Sequence, residues 1–245
     1  MAVTTLTVLL LRHQDEREVD RSIMAYSRER GLLRFRARGT KRSMSKLAGS
    51  LEPLTEATVT FADGRYGEVV TGAMTHERWL GLRTDLFGLA GAQWLAELVE
   101  RITKPDHHSP EVYDQLRAAW SRLASNQSSA LGRRWLELDR VAYGLLQHEG
   151  FVPAIDDCPI CGRSLVGAET SYRPNVGFIH QEEFRPNDVR LDQSVIDVVR
   201  SGVPDDVGRE TFRAFHALVE SIILHVIDRP LRSTAVLRQI VRDLA

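Results

Sequence analysis

Cys158 and Cys161 are the only cysteines in the chain, and they stand together as Cys-Pro-Ile-Cys-Gly. A loop that short cannot staple a fold, so the pair poses a question of metal binding or redox chemistry rather than scaffolding. Two thiolates at this spacing form half of a tetrahedral zinc site, whose other ligands must come from elsewhere in the chain. A redox pair would call for a thioredoxin-like βαβ context, and no such pattern surrounds these residues.

The second constellation is cationic. Arg28, Arg30, Arg34, Arg36, Arg38, Lys41, Arg42 and Lys46 fall within residues 28–46, which hold a single acid, Glu29. Arg34, Arg36 and Arg38 alternate with Leu33, Phe35 and Ala37. On a strand this places three guanidinium groups on one face and three apolar side chains on the other. Like charges on one face repel, and a line of phosphates would relieve that repulsion. Aromatic platforms for base stacking are scarce, since Phe35 should point inward and only Tyr26 and Tyr66 lie near. Binding here should therefore be governed by phosphates, indifferent to base sequence and steeply salt-dependent. The plainer alternative is a solvated basic face, or one paired with acids elsewhere.

The elements that must carry these groups follow from periodicity. Residues 3–11, 19–27, 32–38, 55–61 and 66–74 are short β-branched or apolar runs separated by turn signals, among them Asp63-Gly64. Five such strands predict a small barrel, for which the OB-fold is one solution. After Trp79 the period becomes helical. Apolar stripes run through Leu86–Ile102, then 112–123, 131–145, 195–199, 212–226 and 236–244, the last behind a Ser233 cap. The helical pattern lapses over residues 152–192, where the cysteines lie. The expectation is an α+β multidomain chain: an OB-fold barrel over 1–80 and an α-helical domain over 81–245, with a zinc-finger-like insertion at about 152–192.

Charge is segregated along the chain. Residues 1–50 carry a net +6 and the remainder −7, although the whole chain sums to −1. Such separation suits an electrostatic binding face on one module. No run reaches the roughly 18 apolar residues of a membrane helix. The apolar run at residues 6–11 also lacks the flanks of a signal peptide. A cytoplasmic protein without membrane partners is expected.

The motifs in order resemble those of the bacterial recombination mediator family RecO. The stretches that carry the resemblance are Tyr26-Ser27-Arg28-Glu29-Arg30-Gly31-Leu32-Leu33, residues 37–47, and Leu51-Glu52-Pro53-Leu54. Residues 136–150 followed by Cys158-Pro159-Ile160-Cys161-Gly162, and Leu231-Arg232-Ser233-Thr234-Ala235-Val236-Leu237, continue it to the C-terminus. The resemblance implies an OB-fold, a helical domain and a zinc finger. It further implies binding of single- and double-stranded DNA, annealing of complementary strands, and RecA loading with RecR and the single-strand-binding protein, at the nucleoid.

The metal pattern departs from that family. Its second cysteine pair is matched here by His180 and Glu183 within Gly177-Phe178-Ile179-His180-Gln181-Glu182-Glu183. Either Cys158, Cys161, His180 and Glu183 hold one structural Zn²⁺, or the loop packs without metal and leaves two thiols. No catalytic role is expected. A zinc deaminase needs H-x-E ahead of P-C-x-x-C, whereas His148 and Glu149 are adjacent and Asp157 precedes Cys158. P-loop, dinucleotide and G-x-S-x-G signatures are absent from the sequence. His107, His108, His216 and His225 are expected to be solvated or structural. The rival to a DNA-binding mediator is a protein-interaction adaptor, with a zinc-dependent hydrolase further behind.

Overall fold

The computed structural model describes residues 3–16, 18, 20–38, 40, 47–64, 67–105, 107–125, 130–202 and 207–244. Five strands open the chain: β1 (Val3–Asp15), β2 (Arg21–Ser27), β3 (Gly31–Ala37), β4 (Thr55–Gly64) and β5 (Gly67–Glu77). They close into a barrel of order β1-β2-β3-β5-β4, antiparallel except where Arg36 on β3 meets Val69 on β5. The long β1 shifts register between Leu10 and Arg12, and its N-terminal part pairs with β4 while its C-terminal part pairs with β2. A bulge of this kind bends one strand enough to serve two neighbours.

Period-two alternation fills the interior. Leu6, Val8 and Leu10 on β1, Ile23 and Ala25 on β2, Phe35 and Ala37 on β3, and Ala57, Val59 and Phe61 on β4 form one apolar cluster. The Phe35 and Phe61 rings meet edge-to-face at 5.1 Å. Leu9, Leu11 and Tyr26 point the other way and are buried as well. This explains the unbroken apolar run at residues 6–11, since a strand covered on both faces loses its alternation.

That cover is helical. α1 (Leu80–Arg83), α2 (Leu86–Ile102), α3 (Pro110–Ser125) and α7 (Arg232–Leu244) share one compact unit with the barrel, spanning Met1–Ser128 and Leu231–Ala245. Arg12 on β1 clasps Glu100 on α2 through two hydrogen bonds of 2.6 Å. Glu56 on β4 accepts from the Tyr113 hydroxyl at 2.7 Å and Arg117 Nε at 2.9 Å, both on α3. The compact unit thus runs past the expected border at 80/81, because the outer face of β1 and β2 is itself apolar and recruits the helices that follow.

Gly31, the first residue of β3, has φ +66°, and a Cβ there would lie 2.3 Å from the His107 carbonyl oxygen. Leu32 bridges Pro105 beside it. Alanine at Gly31 would add left-handed strain of about 1–2 kcal/mol and displace the main chain at His107. We expect Gly31→Ala to lower the urea midpoint by the equivalent of at least ~2 kcal/mol at an unchanged m value.

The start of α7 is held from outside the helix. Glu97 on α2 accepts from the Arg232 N–H (3.0 Å), the Ser233 N–H (2.9 Å) and the Ser233 hydroxyl (2.5 Å). Trp94 Nε1 donates to the Thr234 hydroxyl at 2.9 Å. Ser233 therefore lies inside the helix, and Glu97 satisfies the free N–H groups that a Ser233 cap was expected to take. Burial pushes the Glu97 carboxyl up, but the three Ser233 and Arg232 donors outweigh it and hold the group below its ordinary value. A carboxylate depressed in the folded state contributes stability above its unfolded pKa and loses it as pH falls through the folded value. Amide exchange in α7 should therefore accelerate below the usual carboxylate range. Glu97→Gln should weaken α7 at neutral pH by about 1 kcal/mol and flatten that acid dependence.

The second unit, Ser129–Pro230, contains α4 (Leu131–His148), β6 (Thr170–Arg173), β7 (Gly177–His180), β8 (Val189–Leu191), α5 (Gln193–Ser201) and α6 (Arg209–Ile227). The lapse in helical pattern is a three-stranded sheet of order β7-β6-β8. α4 ends in the left-handed Gly150 (φ +76°), whose N–H bonds Gln147 O while Phe151 N–H reaches Leu146 O. Tyr143 on α4 packs on Phe215 of α6, and Tyr172 on Phe178 across β6 and β7. His216 lies against the buried Asp139 at 3.1 Å, as a structural histidine, while His107, His108 and His225 are exposed.

Candidate nucleic-acid interface and metal centre

The alternation on β3 is realised. Phe35 and Ala37 are buried, whereas Arg34, Arg36 and the following Arg38 are exposed. β3 is registered on β2 with Arg34 opposite Met24 and Arg36 opposite Ser22, so the guanidinium groups stand along the outer surface of the barrel. Lys41, Arg42 and Lys46 lie outside the described residues, as does Tyr66. Tyr26 is not a stacking platform: its side chain is buried, and its hydroxyl exchanges hydrogen bonds with the Ser109 main chain.

The cations do not stand alone. Glu16, from the β1–β2 connection, pairs with Arg36 Nε and lies 3.7 Å from Arg34. Arg34 Nε also donates to the Ser22 hydroxyl at 3.0 Å. Arg28 pairs with Asp114 of α3 at 2.9 Å, and Arg30 with Glu68 of β5 at 3.0 Å. Arg38 makes no ion pair among the described residues. The sequence view of a strip with one acid therefore needs correction, because acids distant in sequence fold onto it. Hairpin register held the missing signal, since Ser22 pairs with both Gln14 and Arg36. All these pairs are solvent-exposed, and such contacts contribute only about 0–1 kcal/mol each. Phosphate can replace a carboxylate partner at little cost.

The metal candidates converge. Ligand atoms of Cys158, Cys161 and His180 all lie within 4.8 Å of one another. A hairpin turn presents the cysteines: Cys158 N–H bonds Arg163 O at 2.9 Å, and Gly162 N–H bonds Cys158 O at 2.8 Å. His180 closes β7 and faces them. Its Nε2 lies 3.2 Å from the Ser164 carbonyl oxygen, which can only accept, so in the neutral ring the proton sits on Nε2 and Nδ1 offers its lone pair. That Nδ1 is 3.3 Å from Cys161 Sγ. Two ligands of one tetrahedral zinc would be about 3.6 Å apart, given ordinary Zn–S and Zn–N lengths. The donor set thus fits a metal ion. Burial opposes ionisation of Cys158, but N–H groups of Cys161, His180 and Ile160 point at its sulfur and bring its pKa down to about 6.

Glu183 does not join the three. Its main-chain oxygen accepts from the buried Arg173, whose guanidinium also holds Asp188 at 2.8 Å, and its charge is felt there. The neighbouring Glu182 is the acid beside the cluster. Arg163 NH2 reaches Glu182 at 2.7 Å, while Arg163 Nε donates to Cys161 Sγ at 3.4 Å.

No helix of the described residues is long and apolar enough to cross a membrane. Two family models cover most of the chain: Recombination protein O N terminal over residues 1–75, and Recombination protein O C terminal over residues 83–235. A protein from Roseiflexus sp. (strain RS-1) named DNA repair protein RecO is 30% identical over 169 residues, covering 69% of this chain and 58% of that protein. Its namesake in Heliobacterium modesticaldum is 28% identical, with 61% of that protein covered. The one from Desulforudis audaxviator is 28% identical over 242 residues, 94% of both chains. The first two alignments thus span about three fifths of those relatives' length, and the third nearly all. With both family models aligned in order on barrel and helices, the chain belongs to the RecO family of DNA repair proteins.

Proposed function

We propose that this chain is a recombination mediator that binds single- and double-stranded DNA on the outer β3 face of an OB-type barrel. The observation that carries this reading is the row Arg34, Arg36 and Arg38, exposed along one strand of a closed barrel and at the residue that follows it. Arg28 and Arg30 extend the cationic surface on the β2–β3 turn. Lys41, Arg42 and Lys46 complete the contact set as read from sequence. Main-chain geometry holds the row in line, so phosphates of a strand laid along it exchange for Glu16 and the other carboxylates. Without exposed aromatic platforms on this strand, affinity carries no base preference, which suits a protein that anneals whichever strands are complementary. The reading extends to RecA loading with RecR and the single-strand-binding protein, in the cytoplasm at the nucleoid, and membership of a DNA repair family supports it. No bond-making step is assigned to the chain.

The same proposal includes one structural Zn²⁺ on Cys158, Cys161 and His180. When bound, such an ion supplies a cross-link between the 158–163 turn and the end of β7. The residues' own part is to present two thiolates and an imidazole whose tautomer is fixed by Ser164.

The rival adaptor role draws on one observation, that Arg28, Arg30, Arg34 and Arg36 already have acidic partners. A salt-titrated binding assay separates the two. If ~6 cations engage single-stranded DNA, log affinity against log salt should fall with a slope of about −4. A slope near zero assigns these arginines to structure and favours the adaptor.

A further inference from the structure

Three protein ligands leave a tetrahedral ion one position short, and a closed structural site fills all four. We propose that Glu182, rather than Glu183, supplies the fourth ligand of the Cys158, Cys161 and His180 centre, with Arg163 as the counter-cation that holds it ready. This rests on the structural-metal reading above.

Placement distinguishes the two acids. The charge of Glu183 is felt at Arg173, whose guanidinium donates to the Glu183 main-chain oxygen. That arginine is also ion-paired with Asp188 at 2.8 Å. Glu182 stands beside a different arginine, Arg163. It is exposed, it faces His180 electrostatically, and its one ion pair is with Arg163, the residue that touches Cys161 Sγ. One guanidinium therefore bridges a proposed metal ligand and the carboxylate. Glu182 lies in the 3-10 turn Gln181–Glu183 directly after His180, and to ligate it would exchange its Arg163 contact for the metal. An i, i+3 spacing copied from cysteine knuckles selects Glu183, whereas the acid whose arginine partner touches Cys161 is the one at i+2.

Charge supports the same assignment. A divalent ion with two thiolates and a neutral imidazole is neutral, and a carboxylate makes the centre −1. Arg163, which spans Cys161 and Glu182, restores neutrality. With water as fourth ligand the same arginine would stand against a neutral centre.

The test uses the full chain titrated with Zn²⁺, and with Co²⁺, whose visible bands report ligand number and geometry. Glu182→Gln should weaken Zn²⁺ binding at least ~10-fold, the lower end of what loss even of a supporting residue costs, and should alter the Co²⁺ spectrum. Glu183→Gln should leave both unchanged. Circular dichroism of each variant confirms the fold, which an exposed substitution should preserve. If Glu183→Gln produces the loss instead, or neither variant does while wild type binds metal, the Glu182 assignment is overturned and the metal reading stands. If wild type takes up neither ion, both fall.

Discussion

Replacing Arg34, Arg36 and Arg38 together with glutamine is expected to lower affinity for single-stranded DNA by roughly 10²-fold, taking about 1 kcal/mol per lost phosphate contact. The salt slope should shrink by about 2, since each contact on a single strand contributes ~0.7. The fold should survive, because Arg34 and Arg36 are 65% and 44% exposed and the interior of β3 is Phe35 and Ala37. Glutamine is preferred to glutamate, which would crowd carboxylates around Glu16 and confuse repulsion with loss of contact. Glu16→Gln should act in the opposite direction. It frees Arg34 and Arg36 from the acidic partner they share among the described residues and should raise affinity ~2–5-fold, the equivalent of one weak surface pair. Opposite shifts from neighbouring neutralisations, read by the same assay, would place the DNA on this face. Equal shifts from both, or none, would remove it.

The barrel and its basic row were legible in sequence because both rest on local alternation. A strand of period two tells which side chains share a face without any knowledge of partners. The helices were legible for the same reason, and α2, α3, α4, α5, α6 and α7 all coincide with stripes of period near 3.6. What sequence did not disclose is non-local. Glu16 reaches Arg36 across the β1–β2–β3 pairing, Asp114 reaches Arg28 from α3, and Glu97 caps α7 from α2. None of these pairs has a sequence spacing that announces it. Tyr26 was misjudged because its hydrogen-bond partner, the Ser109 main chain, is distant in the chain.

The same distinction governs the metal centre. Cys158 and Cys161 are local, and His180 was found through similarity to a family pattern. The proposed choice of Glu182 over Glu183 rests on contacts distant in sequence. Spacing alone could not decide it, whereas the partners of Arg163 and Arg173 bear on it directly.

Removal of metal should open the cysteine hairpin while sparing the rest of its unit. Residues 156–165 are held by a few main-chain bonds, among them Leu165 N–H to Asp156 O and Cys158 N–H to Arg163 O. Cys158 and Leu165 are the buried apolar side chains there, whereas Ile160 is 44% and the adjoining Val166 70% exposed. A turn with so little apolar anchorage needs a cross-link. The neighbouring sheet does not, since Tyr172, Phe178 and Ile179 are all buried. Structural zinc contributes an apparent ~10–16 kcal/mol in small finger peptides, and even a small part of that exceeds what this hairpin can gain from burial. We therefore expect about one equivalent of zinc on protein purified without added metal. Chelation, or Cys158→Ser, should speed amide exchange in 156–165 by at least ~10²-fold, while 170–173 and 177–180 keep their protection. Less than ~0.2 equivalents of zinc, with the hairpin protected regardless of chelator, would show that His180, Ser164 and the Arg163–Glu182 pair close the turn by themselves. The hydrogen bonds for that are present, but the Arg163–Glu182 pair is exposed and weak and the His180 contacts are few, so the difference between the outcomes is large.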